Sequence, residues 1–339
     1  MAEYKYLLLN AAGDTLGELP AANRDFKVYL NLPGSASFDV GLKYEKLGTQ
    51  QLVDSIDPWR TYLKVMRDTR AMFGGEIQFP KSVLNASTQK ITCPAIGYQA
   101  LFEDRLTADS ITYTGIDQGA IAWALINDSQ TKAHGDFGIT QGTITTGILR
   151  DRTYESKNIK EAIEELAACE DGFDFCIEAD KVFQVFYPMR GTQLGNFVFE
   201  YGKNIIEVTE DLLKPINMAF VLGAGEGENM LRTTVSDAAS ISLYQNRETL
   251  LSLKDVSEQD TLVERGQDFI NENALPKKLI GLKVNAENDP ELGSYWLGDK
   301  ICVKVDCGRM QIDGYRRIYG IEVNIDDDGK EDVTVIVNS

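Results

Sequence analysis

Histidine is almost missing from this 339-residue chain, and His134 is the only one. A single histidine argues against a zinc site of Cys and His ligands, and any Ser-His-Asp or Cys-His arrangement would have to use it. No G-x-S-x-G accompanies it, so His134 reads as a loop residue. Cysteine is scarce as well. Cys93, Cys169, Cys176, Cys302 and Cys307 make an odd number with no C-x-x-C spacing. The first three sit among apolar neighbours and read as small core side chains, with reduced thiols expected in a bacterial cytoplasm. No apolar run approaches the roughly 18–20 residues that cross a bilayer. The opening Met1-Ala2-Glu3-Tyr4-Lys5-Tyr6 lacks the basic start and apolar core of a signal peptide. A soluble chain with no membrane segment and no secretion signal is expected.

Basic charge is also in deficit: 34 Lys and Arg against 52 Asp and Glu leave a net charge of −18. Such a surface does not grip nucleic-acid phosphates, which need clustered cations. It would suit the wall of a passage that nucleic acid crosses without sticking, or it serves solubility alone. What is present is ordinary globular composition, 43% hydrophobic and 25% charged, enough for a real core. The length suits two or three domains.

Alternation at period two dominates the first hundred residues. Tyr4 to Leu9 and Thr15 to Leu19 flank a turn at Ala12-Gly13-Asp14. Phe26, Val28 and Leu30 alternate, Pro33-Gly34-Ser35 reads as a turn, and Ala36, Phe38 and Val40 alternate again. Tyr62 to Arg67 and Ala71 to Phe79 pair around Asp68-Thr69, and Lys90 to Gly97 follows. Asp57-Pro58-Trp59-Arg60 is an irregular connection. Short strands joined by such turns imply a sandwich or small barrel.

The middle changes period. Asp117 can cap a helix over about Gln118 to Ser129 that carries Ile121, Leu125 and Ile126. His134 to Thr146 has no helical period. Ile159, Ala162, Ile163, Leu166 and Ala167 then fall on one helical stripe, with Lys160, Glu161, Glu164 and Glu165 opposite and Gly172 as the stop. Phe173, Phe175 and Ile177 alternate, Glu178-Ala179-Asp180 turns, and Phe183, Val185 and Tyr187 return. In the last third, Asn196 to Tyr201, Ile205 to Thr209 and Ile216 to Leu222 read as strands. A helix from about Glu258 to Asn273 follows, capped by Ser257, with Leu262, Val263, Gly266, Phe269 and Ile270 buried and Pro276 ending it. Strands are expected at Leu279 to Val284, Lys300 to Val305, Tyr315 to Ile325 and Asp332 to Val337. The expected class is α+β, mostly β: two small β-barrel-like domains, 1–105 and 201–339, around an α+β domain, 106–200. A helical insertion is placed at about 236–290.

Several motifs suggest chemistry and fail on detail. Asn324, Asp326, Asp328 and Gly329 match the first half of a calcium loop, but Val335 stands where the bidentate Glu belongs, so a hairpin turn is favoured. Gly223-Ala224-Gly225-Glu226-Gly227-Glu228 lacks the last glycine of a dinucleotide fingerprint, and Leu231 to Val235 looks like a returning strand. Asp136-Phe137-Gly138 spells a kinase tripeptide without a His-Arg-Asp loop. A glycosidase carboxylate pair stays open, since sequence shows no separation. Most acids, such as Glu161, Glu164, Glu165 and Asp326 to Asp328, fall on helix exteriors or in turns and read as solvated. A glycan-binding groove would show surface aromatics, whereas Phe173, Phe175, Phe183 and Tyr187 alternate as core. No catalytic, cofactor-binding or metal-binding residue is assigned, and an enzyme is not expected.

The order of elements resembles the baseplate hub proteins of phage tails. Leu7-Leu8-Leu9-Asn10-Ala11-Ala12-Gly13-Asp14-Thr15-Leu16-Gly17-Glu18-Leu19-Pro20 is similar to their opening hairpin, and Leu30-Asn31-Leu32-Pro33-Gly34-Ser35-Ala36-Ser37-Phe38 to the strand after it. Phe73-Gly74-Gly75-Glu76-Ile77, after Arg67 and Arg70, resembles a further strand, and Ile96 to Arg105 the exit from the first barrel. The segments from Ile159 to Tyr187, Val221 to Gly227, Leu297 to Ile301 and Tyr315 to Val323 complete the likeness. It spans nearly the whole chain, and its weight lies in the order, since each motif is only a turn or a strand. Tail-associated proteins of long-tailed phages share it, and the type VI secretion spike is a distant relative. The resemblance implies a homotrimer whose barrels form a ring at the virion tail tip, joining the tail tube to the distal tip or fibre and letting DNA pass. Partners would be the tail tube and distal tail proteins, the tape measure protein and a central fibre or spike. Synthesis would be in the host cytoplasm. Relatives often carry a long C-terminal extension, and with this chain ending at Ser339 the extension's activities are expected on separate chains.

Overall fold

In the computed structural model of the chain the described residues are 2–41, 52–85, 89–225, 227–253, 256–285 and 290–338. They fall into two compact units, one of Met1–Val208 with Leu282–Val337 and one built on Thr209–Gly281. Among the described residues strands make up 49% and helices 17%, so the class is α+β and mostly β.

The first unit opens with β1 (Tyr4–Leu9), β2 (Thr15–Glu18), β3 (Ala22–Tyr29), β4 (Leu32–Gly41), β5 (Tyr62–Arg67), β6 (Arg70–Ile77), β7 (Lys81–Leu84) and β8 (Gln89–Gly97). Alternation places one side chain in two inward, and Tyr6, Leu8, Phe26, Phe38, Leu63 and Val65 are all buried. The expected turn at Pro33-Gly34-Ser35 is corrected. The chain turns at Leu30–Asn31, with Asn31 at φ 60, and Pro33 to Ser35 already belong to β4. A bulge interrupts the β3–β4 register there. Gly34 is needed for approach rather than for turning, because a Cβ would sit 2.3 Å from the Lys27 carbonyl oxygen.

A 3-10 turn at Tyr98–Phe102 leads to β9 (Ile111–Asp117), α1 (Gln118–Gln130), β10 (Thr140–Gln141), β11 (Leu149–Tyr154), α2 (Ile159–Ala167), β12 (Asp174–Ile177) and β13 (Val182–Phe186). Asp117 caps α1 as expected, accepting from the backbone N–H groups of Gly119 (2.9 Å) and Ala120 (3.3 Å). Asn158 caps α2 through the Glu161 N–H, and Ile159, Ala162, Ile163 and Leu166 form its buried stripe. The helix ends at Ala167, well before Gly172. The left-handed residue is Asp171 (φ 53), while Gly172 lies so close to the Ala167 carbonyl that a Cβ would meet it at 1.9 Å. These helices and the β12–β13 hairpin share one apolar cluster with Tyr62, Tyr98 and Phe102. Cys93 and Cys176 are buried as expected, but Cys169 is only half-buried, and all five cysteines are free thiols.

From β14 (Gln193–Glu200) the chain enters β15 (Ile205–Leu213), which carries it into the second unit. That unit contains β16 (Met218–Leu222), β17 (Arg232–Ser236), α3 (Ala238–Tyr244), β18 (Glu248–Ser252) and α4 (Gln259–Asn273). β16 pairs antiparallel with β17 and parallel with β18. Leu262, Gly266 and Ile270 of α4 are buried in a cluster with Ala219, Val221 and Val235. Ser257 is not the cap: Glu258 holds that position and makes no side-chain capping bond. Val263 faces outward, because the stripe advances from Leu262 to Gly266 and leaves position 263 beside it.

The return is through β19 (Lys277–Val284), β20 (Lys300–Cys307), β21 (Met310–Ile325) and β22 (Glu331–Asn338). The first and last strands of the chain join one 14-stranded sheet, ordered β15-β19-β22-β21-β3-β4-β8-β6-β5-β1-β2, with β14–β20 attached to β21 and β7 attached to β8. Where two barrel-like bodies were expected, the described strands close no barrel. The junction is β3 against β21. One buried row crosses six strands, from Ile77 through Ala95, Ala36, Phe26 and Val323 to Val333. Each large member contributes roughly 1.5–3 kcal/mol of burial, so the register is fixed strongly there.

Candidate functional site

The residues singled out by sequence land mostly in turns. Asp326 and Gly329 close the β21–β22 hairpin: Asp326 Oδ1 accepts from the Lys330 N–H at 2.7 Å, and Gly329 takes φ 84. Gly225 (φ 97) and Gly227 (φ 55) turn between β16 and β17, a glycine-rich hairpin as read; Glu226 lies outside the described residues. His134 is an exposed loop residue at φ 59. Asp136 Oδ1 accepts from the Gly138 N–H at 2.7 Å, which makes that tripeptide a local turn. Glu161 and Glu165 are exposed on α2 and both reach Lys157. Glu164 is half-buried, and burial raises its carboxyl above the ordinary value. Among the described residues no group of three His, Cys, Asp or Glu is placed to hold a metal ion.

The structure does bring some of these acids together. A cleft of about 670 Å³ opens beside the β21–β22 hairpin, lined by Asp25 of β3, Asn324, Asp326, Glu331, Asp332 and the cations Arg24, Lys283 and Lys330. Arg24 spans to the hairpin and donates to the Asp326 carbonyl at 2.6 Å. Lys283 pairs with Asp332 at 2.7 Å. Burial raises the Asp25 carboxyl above the usual range, against a lowering hydrogen bond from Ser37. Charges of both signs neutralise one another around the cleft, so it is neither an anion nor a cation trap.

Two polar clusters tie the chain's distant parts together, and sequence reasoning did not find either. Asp174 of β12 accepts from Asn31 Nδ2 (3.0 Å), from the Arg190 N–H (2.6 Å) and from Arg317 Nη2. Asn31 Oδ1 in turn accepts from the Phe175 N–H at 2.9 Å. Thus the β3–β4 turn, the middle hairpin and β21 meet at one carboxylate. Arg67 of β5 binds Glu331 of β22 at 2.7 Å and Glu291 at 3.0 Å, in a setting where Arg67 and Glu331 side chains are 11% and 6% exposed. The Gly74-Gly75 pair in the hub-like motif has a plain steric cause. A Cβ on Gly74 would lie 2.7 Å from Ala179 of the β12–β13 turn, and one on Gly75 would lie 2.2 Å from the Ile96 carbonyl. Of the aromatics, Phe173, Phe175 and Phe183 are core, while Tyr187 is exposed.

No family model matches the sequence, and no curated protein matches it. Solved structures do. The 43 kDa tail protein of prophage MuSo2 from Shewanella oneidensis superposes with a TM-score of 0.65 at 14% identity, over 98% of this chain and 97% of that one. The tail protein of Neisseria meningitidis MC58 gives 0.63 at 13% identity, over 99% and 96%. A chain of the half-lidded Francisella PdpA-VgrG complex gives 0.56 at 10% identity, over all of this chain and 58% of that one. The chain therefore has the fold of prophage tail proteins, shared with the PdpA-VgrG complex. No helix in the described residues is long and apolar enough to cross a membrane.

Proposed function

We propose that this chain is a structural component of a phage tail tip, a ring-forming baseplate hub that connects the tail tube to the distal tip or fibre and surrounds the DNA exit channel. The observation that carries the reading is the end-to-end fold match with prophage tail proteins, covering 98% of this chain and 97% of its counterpart. The continuous sheet through β3 and β21 supports it, because it makes a stiff body with long edges for neighbours. In this reading 1–105 and 201–339 are the two hub domains and 106–200 the middle domain. The ring is a homotrimer, the partners are the tail tube, distal tail and tape measure proteins and a central fibre or spike, and the acidic surplus repels DNA rather than binding it. The chain is made in the host cytoplasm, ends at the tail tip of a long-tailed phage and has no enzymatic role. Negative-stain imaging of the purified protein tests this: rings with three-fold symmetry and a central hole are expected.

One observation favours a second reading, a carboxylate-based cell-wall glycosidase. Asp25, with its raised carboxyl, shares a cleft with Asp326, Glu331 and Asp332, as a general acid and its partner would. Clearing of labelled cell walls by the purified chain, lost in Asp25→Asn, would establish that reading. Intact walls would remove it.

A further inference from the structure

The free edge of β7 has features that no cluster above uses. Trp59 and Phe79 are 59% and 69% exposed, and their rings stack with centroids 6.2 Å apart at 28°. Leu84, at the end of β7, is 74% exposed. Trp59 is held outward rather than folded down. Its backbone takes φ 60, its N–H donates to the Ile77 carbonyl at 2.9 Å, and its indole N–H donates to Gln78 Oε1 at 3.3 Å. Among the described residues β7 pairs only with β8, and no other described strand lies along its second edge. Lys81 is exposed there with no ion-pair partner among the described residues. Fixed aromatic anchors beside an open strand edge are what strand addition uses.

We propose that this edge receives Ile205–Val208 of a second copy of the chain, and so forms the contact that closes the ring. The inference rests on the ring reading above. β15 ends the strand order of the large sheet, with β19 as its strand neighbour. Ile206 is 55% exposed and Glu207 is exposed beside it. The two segments complement one another in antiparallel register: with Lys81 opposite Glu207, Leu84 shares a face with Ile206, and Phe79 flanks the start of β7. The occupant is aliphatic apart from one carboxylate, Glu207, which matches the apolar edge and its single cation Lys81. Because the two edges are different surfaces, the contact is heterologous, the kind that generates closed rings when the rotation permits.

The test is the oligomeric mass of the full chain by light scattering over a concentration series, with folding checked by circular dichroism. Every altered side chain is exposed. Trp59→Ala with Phe79→Ala should raise the trimer dissociation constant at least about tenfold, the loss expected for interface anchors. Lys81→Glu should weaken the trimer, and adding Glu207→Lys should restore it. In a Cys307→Ser background, Lys81→Cys with Glu207→Cys should give an inter-chain disulfide. A wild-type trimer indifferent to all these changes would overturn this contact and leave the hub reading intact. A wild-type monomer at every concentration would overturn both. If the trimer persists but the double alanine variant loses binding to N-acetylglucosamine oligomers, the aromatic pair is a glycan platform and the contact is refuted.

Discussion

Truncating Arg67 probes whether the N- and C-terminal strands form one body. Its guanidinium donates Nε to Glu331 Oε1 at 2.7 Å and Nη2 to Glu291 at 3.0 Å. Burial alone would make the guanidinium easier to deprotonate, but the bonds to Glu331 and Glu291 outweigh it, so the group holds its proton more firmly than usual. An exposed pair would contribute about 0–1 kcal/mol. Here the Arg67 and Glu331 side chains are 11% and 6% exposed, so removing Arg67 leaves the buried Glu331 carboxylate without its cation, at a cost of about 3–5 kcal/mol. Arg67→Ala should lose that much, and Glu331→Ala less, because Arg67 keeps Glu291 at 3.0 Å. The double variant should lose less than the sum, with a coupling on the order of 0.5–3 kcal/mol. The chain's three tryptophans, Trp59, Trp123 and Trp296, all lie in the first unit, so intrinsic fluorescence in urea reports on that unit alone. Single variants that each lose under about 1 kcal/mol, or strictly additive losses, would refute the pairing of β5 with β22 through this charge.

Three further outcomes are expected. Leu166→Asp places a carboxylate on the buried stripe of α2, and should cost about 4–5 kcal/mol or more and give insoluble or unfolded protein; an unchanged melting curve would show the helix face to be wrong. Gly75→Ala drives a Cβ to within 2.2 Å of the Ile96 carbonyl and should cost about 1–3 kcal/mol, whereas Gly195→Ala meets open space and should be neutral, a contrast that thermal melts can read. Asp39 is buried, which alone would raise its carboxyl, but hydrogen bonds from Lys90, Thr92 and Asn23 hold it below the ordinary value. A depressed folded value stabilises above the unfolded one, so the advantage of wild type over Asp39→Asn should be full at neutral pH and vanish as acid titrates the folded carboxyl; a difference independent of pH from 7 to 2 would contradict this.

The parts legible in the sequence are those specified locally. α1 announces itself through the Asp117 cap and α2 through its 3.6-residue stripe, and the final hairpin through alternation around Asp326 to Gly329. Misplaced details arise where tertiary approach overrides turn chemistry. Gly34 and Gly172 resemble a turn and a helix stop, yet each is small because a carbonyl passes close by. β9, β11 and β18 escaped because their exposed faces break the alternation, and β14–β20 and β16–β18 are parallel pairs that local patterns do not encode. The merging of terminal strands into one sheet depends on the pairing of Phe26 with Val323, almost the full chain apart. The exposed Trp59–Phe79 pair was illegible for the same reason: on paper Trp59 is part of an irregular connection and Phe79 the end of a strand, and only the fold stacks them.

The solution mass of the purified chain, measured by light scattering over a concentration series, is the most direct test of the ring. A stable species near three times 37.7 kDa is the predicted result and would support the ring. A strict monomer at every concentration, above all one that clears cell walls, would contradict it.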